Sequence, residues 1–442
     1  MSALTAENVK NLITEKGVQF IRLQFADILG TMKNVAITAD EIDKALSNQA
    51  MFDGSSIEGF VRIEEADMYL RPDTSTFKIM PWFKDHTIAR MICDIYRPNG
   101  SPFEGDPRYA LKRVLKKAAN MGYEFFVGPE CEFFLFQTDE TGAPTTRTHD
   151  RASYFDLAPV DNGELARIDM VKTLMDMGFK IEQAHHENAP GQHEIDFKYS
   201  GALDAADNIL TFKLVVKVMA QKRGLHATFM PKPLNGVNGS GMHSNMSLFK
   251  DGVNMFYDPD DKNGLSKIAY NFIGGLLAHA RGMAAITNST VNSYKRLIPG
   301  YEAPVYISWS MGNRTPLIRI PVTRGAGTRI ELRSPDSACN PYLALAVLLA
   351  AGLDGIKNNL EPPEPIGRNI YKMTENDLHD NHIEKLPADL NEALGELLAD
   401  ETITEALGAH ILDNYVKAKR IEWDEYSKTV HEWEINKYLK LY

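Results

Sequence analysis

The sequence predicts an α+β protein: a small mixed N-terminal unit, then a larger body in which a curved sheet is flanked by helices. Three observations carry that expectation. Strand patterns crowd the first hundred or so residues, the turn-rich stretch Arg97-Pro98-Asn99-Gly100-Ser101-Pro102 closes them off, and strand and helix patterns alternate from there on. With 442 residues, 44% of them hydrophobic, the chain has apolar material enough for such a body.

Taken in order, Ile21, Leu23 and Phe25 alternate with Arg22 and Gln24, the period of a half-buried strand. Thr38 followed by Glu41 reads as a capping box opening a short helix through Leu46. The apolar runs 77–83 and 88–96 read as further strands, so residues 1–103 form the small domain and 104–442 the large one. Asp106-Pro107 supplies an N-cap and a first-turn proline for a helix that Gly122 ends. Alternating strands and helices then occupy 123–137, 164–177, 179–185, 203–223, 225–230 and 242–249, with a solvated acidic loop at 258–264. A long apolar helix is expected over 268–286, and a buried one beyond Pro341, before Pro362-Pro363-Glu364-Pro365. Mostly amphipathic helix is expected over 391–441. No repeat or low-complexity tract is visible.

The net charge of −11, with no basic block, argues against direct nucleic-acid binding and against an anionic membrane surface. The longest apolar stretch, Leu343 to Ala351, is about half the ~20 residues of a bilayer span. No apolar signal segment is seen at the N-terminus, where Glu7 and Glu15 lie. Three widely separated cysteines, Cys93, Cys131 and Cys339, speak against a disulfide framework, so a cytoplasmic location is expected.

Chemistry shows where strands are polar on a face that a core strand keeps apolar. Glu130 and Glu132 flank Cys131, and a period of two sends both carboxylates to one side. Arg329, Glu331 and Arg333 alternate with Ile330 and Leu332; His243, Asn245 and Ser247 alternate with Ser244, Met246 and Leu248. Glu187 and Glu194 flank a Pro190-Gly191 turn that can fold them together. One such strand is what a solvated surface gives; four suggest a sheet curved around a charged, ligand-filled interior. Carboxylates converging there repel by about 4 kcal/mol per pair at ~4 Å and an effective dielectric near 20, so they protonate or hold a cation. Carboxylate-rich ligation with a single histidine suits Mg²⁺ or Mn²⁺. Zinc is the alternative, since His185-His186-Glu187 and His193-Glu194 are close in sequence, but the HExxH spacing is missing. Arg296, Arg314, Arg319, Arg329 and Arg333 form the cationic counterpart, suited to bidentate capture of phosphate and carboxylate. No P-loop motif is present. Asn238-Gly239-Ser240-Gly241 is either a hairpin turn or a place where a ligand carboxylate approaches the backbone. Metals, a phosphate-binding arginine set and a charged interior together indicate phosphoryl transfer.

These residues fall within longer motifs. Phe52-Asp53-Gly54-Ser55-Ser56 is followed by Glu65-Ala66-Asp67, and Lys232-Pro233 by Asn238 through His243 and on to Ser247. Asn292-Ser293-Tyr294-Lys295-Arg296, Pro299-Gly300-Tyr301-Glu302-Ala303-Pro304 and Asn313-Arg314 come next. In this order they resemble a type I glutamine synthetase over essentially the whole chain, and the shorter alpha branch of Gram-positive bacteria in particular. The resemblance implies a β-grasp N-terminal domain and a large catalytic domain with a curved antiparallel sheet. It implies ATP-dependent joining of glutamate and ammonium through γ-glutamyl phosphate, with at least two Mg²⁺ or Mn²⁺ ions per site. Carried over by position, Glu132, Glu187 and Glu194 would hold one metal, and Glu130, His243 and Glu331 the second. Asn238, Gly239, Arg296, Glu302, Arg314 and Arg333 would bind glutamate. Glu182, Ser247, Arg314, Arg319 and Arg329 would contact ATP, Arg319 also neutralising the transferring phosphoryl group. Asp53, with Ser56, Tyr154 and Glu187, would form the ammonium site, Asp53 acting as base and Glu302 as part of a lid.

The resemblance further implies two stacked hexameric rings, with the Asp53 loop reaching a neighbour's site and the segment Trp433–Tyr442 inserting Leu439, Leu441 and Tyr442 into the facing ring. It relates Arg62 to feedback by glutamine and suggests a nitrogen-regulating transcription factor as partner. Tyr371, in Arg368-Asn369-Ile370-Tyr371, aligns with a tyrosine modified in another branch, but lacks the acidic residue before it and is expected to stay unmodified. The competing readings are a γ-glutamyl-polyamine ligase, which would differ mainly at the amine site, and a non-catalytic scaffold.

Overall fold

The computed structural model describes residues 4–57, 59, 67–381 and 383–442. Among these, the first sheet has five strands in the order Met32–Thr38, Phe20–Ala26, Ile88–Tyr96, Asp67–Ile79, Ala50–Asp53. Phe20–Ala26 lies inside the sheet and pairs antiparallel with Met32–Thr38 on one side and parallel with the central Ile88–Tyr96 on the other; Ile21 and Leu23 are fully buried. The helix Ala6–Lys16 packs Val9 and Ile13 into the same core.

Two local expectations for this region change. Thr38 makes no side-chain cap; a 3₁₀ turn, Ala39–Glu41, precedes the helix Ile42–Leu46, and its tighter hydrogen bonding satisfies the groups a cap would have served. The apolar run 77–83 is strand only as far as Ile79. Met80 and Trp82 then leave the sheet and join Ile88 in packing against Phe133 and Met170 of the large body, so their apolarity reflects contact between the two parts. Arg108, 2% exposed, pins the same junction, bonding Asp73 and Asp94 of the small sheet and Asp207 of the helix Ala202–Lys222. Breaking such a buried ion cluster leaves uncompensated charge and costs about 3–5 kcal/mol.

The second sheet has eleven strands among the described residues, along the path Trp309–Met311, Ile318–Ile320, Ile330–Leu332, Met242–Lys250, Glu124–Thr138, Gln192–Phe197, Ile181–His186. All pairs are antiparallel except the first. One face packs on helices, with Met246 and Leu248 against Phe272, and Phe133 against Phe212. The expected long helix 268–286 is two, Lys267–Ala278 and Ala280–Thr287, interrupted at His279. The first of them crosses Pro341–Asn358 so closely that a Cβ on Gly275 would collide with the Ala351 carbonyl. The C-terminal segment is helical in four pieces, and the last, Glu432–Tyr438, has no buried residue. No helix among the described residues is long and apolar enough to cross a membrane.

Candidate active site

The other face of the second sheet carries the acidic groups. Cys131 points into the core, fully buried, which turns Glu130 and Glu132 together to the opposite side. Register then does the rest: Glu130 lies across from Asp196 and from His243, and Glu132 across from Glu194. The hairpin between Ile181–His186 and Gln192–Phe197 adds Glu187. Like charges directly opposite one another destabilise a sheet, so this arrangement needs compensation.

Neutral donors supply part of it. Asn245 donates to Glu130 at 2.9 Å, Gln183 to Asp196 at 2.7 Å, Gln192 to Glu132 at 3.0 Å, and the Gly241 amide to Glu132 at 2.8 Å. Glu331 accepts from Arg319 at 2.5 Å and from Arg333 at 2.6 Å. The remainder is uncompensated. Burial, then repulsion from Asp196, Glu132 and Glu130, holds the Glu194 carboxyl well above its usual range. Burial raises Glu132 too, and lifts Asp196 to about 6. Glu130 goes the other way: burial pushes it up, but the His243 and Asn245 hydrogen bonds bring it to about 2. Burial likewise opposes in Glu187, but the hydrogen bond and charge of His185, the Asn188 amide and Glu194 together overcome it, and the carboxyl lies below its usual range. A wall in which burial and neighbouring carboxylates push several carboxyls up is suited to a divalent cation.

Two ligand sets face this cavity, each with one donor atom per residue and all within 4.8 Å: Glu130, His243 and Glu331, and His185, Glu187 and Glu194. The first is the set expected for one ion. In the second, His185 stands beside Glu187 at 3.1 Å, while Glu132, expected there, is turned to Gly241 and Gln192 within the same cavity. Oxygen-rich sets with one imidazole fit Mg²⁺ or Mn²⁺. The zinc alternative loses its other histidines to the far face. His186 there sits against Asp150, and Arg167 donates to His193 Nδ1 at 2.8 Å, so the remaining His193 nitrogen carries the proton.

The cavity, about 240 Å³, is also lined by Tyr154, Asn238, Gly239, Arg296, Glu302, Arg314, Arg319 and Arg333. Gly239 and Gly241 are required by close approach: a Cβ on the first would collide with the Pro231 carbonyl, and on the second would lie 2.5 Å from Arg296. Arg296, 3% exposed, donates to the carbonyls of Ser334 and Arg333, which leaves it less free for ligand than expected. Glu302 has φ +57° and accepts from Asn188 at 3.1 Å and Asn238 at 3.3 Å. A second cavity, about 310 Å³, shares Glu130 and Gln183 with the first. It is lined by Glu182, Ser247 and Arg329, with Phe197, Tyr199 and Phe249 as its aromatic residues.

Asp53 and Ser56 are exposed on the small domain and line neither cavity; Asp53 instead accepts from the Ser55 hydroxyl and amide, which hold its pKa low. Arg62 lies outside the described residues. Sequence reasoning missed Gln183, Asn188, Gln192, Asp196 and Tyr199. Period two carried outward from Glu194 reaches Gln192 and Asp196, and from His185 reaches Gln183, so that signal was available for three of them.

Comparison with known proteins matches residues 17–98 to the glutamine synthetase β-grasp domain and residues 104–438 to the glutamine synthetase catalytic domain. A glutamine synthetase of Clostridium saccharobutylicum is 61% identical over the whole of both chains; one of Thermus thermophilus is 58% identical, covering all of this chain and 98% of its own. Among solved structures, a GmaS–ADP complex is 36% identical with a TM-score of 0.88 over all of both chains. The Plasmodium falciparum glutamine synthetase is 28% identical with the same TM-score over 99% of each. The chain belongs to the type I glutamine synthetases.

Proposed function

We propose the following division of labour for the ATP-dependent synthesis of glutamine that this membership assigns. The observation that carries it is the joining of two cavities at Glu130: one acidic and rimmed with arginine, the other with aromatic faces and a serine. Glu182, Ser247 and Arg329 hold ATP in the second cavity, so that its terminal phosphate reaches the first. Asn238, Gly239, Arg296, Arg314 and Arg333 hold glutamate with its γ-carboxylate towards that phosphate. Glu130, His243 and Glu331 hold one Mg²⁺ or Mn²⁺ ion and Glu132, Glu187 and Glu194, with His185 beside them, a second. When bound, these ions neutralise charge on the transferring phosphoryl group.

Arg319 gives up part of its pairing with Glu331 to meet the same charge. Glu302, presented by its turn, covers the γ-glutamyl phosphate and keeps water from it. Asp53, supplied by a neighbouring subunit in two stacked hexameric rings, takes the proton from ammonium, with Ser56, Tyr154 and Glu187 completing that pocket. The exposure of Asp53 in a single chain supports this reading, and its lowered pKa keeps it anionic as a base and as an attractor of the cation. We place the enzyme in the cytoplasm, in keeping with three free cysteines, and assign it to the alpha branch. Feedback by glutamine through Arg62 and recognition of the inhibited enzyme by a nitrogen-regulating transcription factor belong to the same proposal.

The test is phosphate release from ATP and glutamate with Mg²⁺, with and without ammonium, followed by added glutamine. Release that needs ammonium and falls with glutamine supports the assignment and its feedback. Release that ignores ammonium and responds to a polyamine moves the amine site to another substrate. An Asp53→Ala enzyme should bind ATP and lose ammonia transfer, and retained glutamine formation would remove Asp53 from its role.

A further inference from the structure

We propose that Tyr371 is a positioning residue for the reaction: through the Ala303 carbonyl it holds Glu302 in its closed geometry over the acidic cavity. This rests on the reading of Glu302 as the cover of the γ-glutamyl phosphate. Glu302 occupies the left-handed region, φ +57°, which non-glycine residues adopt rarely and keep only where the surroundings fix it. On its N-terminal side are Gly300, φ +95°, around which a Cβ would meet nothing, and Tyr301, whose ring centroid lies 3.9 Å from the Lys232 ammonium; neither holds the Glu302 backbone itself. A short hydrogen bond to the backbone is found on the C-terminal side.

There the Tyr371 hydroxyl donates to the carbonyl of Ala303, the next residue, at 2.5 Å. Tyr371 is itself well placed to act as an anchor. Its segment is tied to the loop carrying Arg314 by Asn313, which donates to the Arg368 carbonyl at 2.9 Å, and by Thr315, which accepts from the Ile370 amide at 3.3 Å. Ile370 is fully buried. Burial pushes the phenol to about 12, so it remains a donor across the working pH range. One segment thus braces both the lid and the arginine loop, and Tyr371 is the member that reaches the lid. The side-chain bonds from Asn188 and Asn238 restrain the Glu302 carboxylate but not its backbone, on which Arg333 makes a long contact of 3.5 Å.

Tyr371→Phe in the assembled enzyme tests this, because the ring and its packing near Tyr306 remain while the hydroxyl goes. Phosphate released per glutamine formed should rise about fivefold at limiting ammonium, the worth of one typical hydrogen bond to the closed state, with KM for ammonium rising and KM for ATP unchanged. A merely structural role would lower the midpoint of thermal unfolding and leave the phosphate-to-glutamine ratio at that of the parent. Thr315→Val, which loosens the same segment elsewhere, should move the ratio in the same direction by less, and it keeps the test open if the Tyr371 variant does not fold. Glu302→Gln is the reference. If it leaks and Tyr371→Phe does not, the positioning role is overturned and the lid reading stands; if neither leaks, both are overturned.

Discussion

Asp150 lies behind the hairpin that presents Glu187 and Glu194, and none of its atoms faces the cavity. One oxygen accepts from the Gly191 amide at the hairpin turn, at 2.9 Å, and from His186 Nε2 at 3.3 Å. The other His186 nitrogen faces the Glu187 carbonyl at 2.7 Å, so the ring bridges the Asp150 carboxylate and the backbone of Glu187. Burial lowers the His186 pKa, but the hydrogen bonds to Asp150 and to the Glu187 carbonyl, with the charges of Asp150 and Asp161, together outweigh it and the value is raised. The carboxylate thus fixes the backbone on both sides of a proposed metal ligand. Asp150→Asn should lower the affinity for Mn²⁺ by about ten- to a hundredfold, as loss of an outer-shell partner does. Titration of the variant with Mn²⁺ checks this, and an unchanged dissociation constant would remove Asp150 from the site's support. The sequence could not have shown this residue. Glu130 and Glu132 declare themselves through a two-residue period around a buried Cys131, whereas Asp150 reaches the hairpin from 41 positions away.

At the scale of elements, His279 shows how a local pattern is overruled. The apolar run through 268–286 is helical in composition, but at His279 the chain breaks into two helices. The imidazole there meets Asp400 at 2.8 Å and Asp354 at 3.2 Å, tying together segments more than seventy residues apart. Burial lowers the His279 pKa, the two carboxylates together raise it more, and the folded-state value lies above the ordinary 6.5. Its stabilising contribution is therefore complete below about 6.5 and is lost as pH rises through the folded value. His279→Gln should be less stable than the parent near pH 6, and the difference should shrink by about pH 9 in urea unfolding. A difference independent of pH would deny the charged pairing. The stretch 77–83 makes a related point: apolar residues were legible there, but not that Met80 and Trp82 serve the junction between the two parts of the molecule.

On the scale of the whole molecule, the terminal helix stands out. Trp433 is 64% exposed, Leu439 71% and Leu441 67%, and Tyr442 is fully exposed. Burying such side chains against a partner is worth about 1.5–3 kcal/mol each, enough together to hold two rings if the proposed assembly is made through them. Truncation before Glu432 should leave an enzyme that sediments as single rings, and a truncated chain sedimenting with the parent would place the ring contact elsewhere. By itself the sequence determined the α+β class, the acidic and arginine-bearing faces, and the family, because period-two alternation and motif order are local properties of a chain. Tertiary structure alone decided that Glu132 turns to Gly241 and Gln192 while His185 joins Glu187, that Arg296 is held by backbone carbonyls, and that Asp53 stays outside the cavity of its own chain. Those outcomes depend on which strands lie side by side and on which donors compete for each carboxylate, and both are fixed by contacts between residues far apart in sequence.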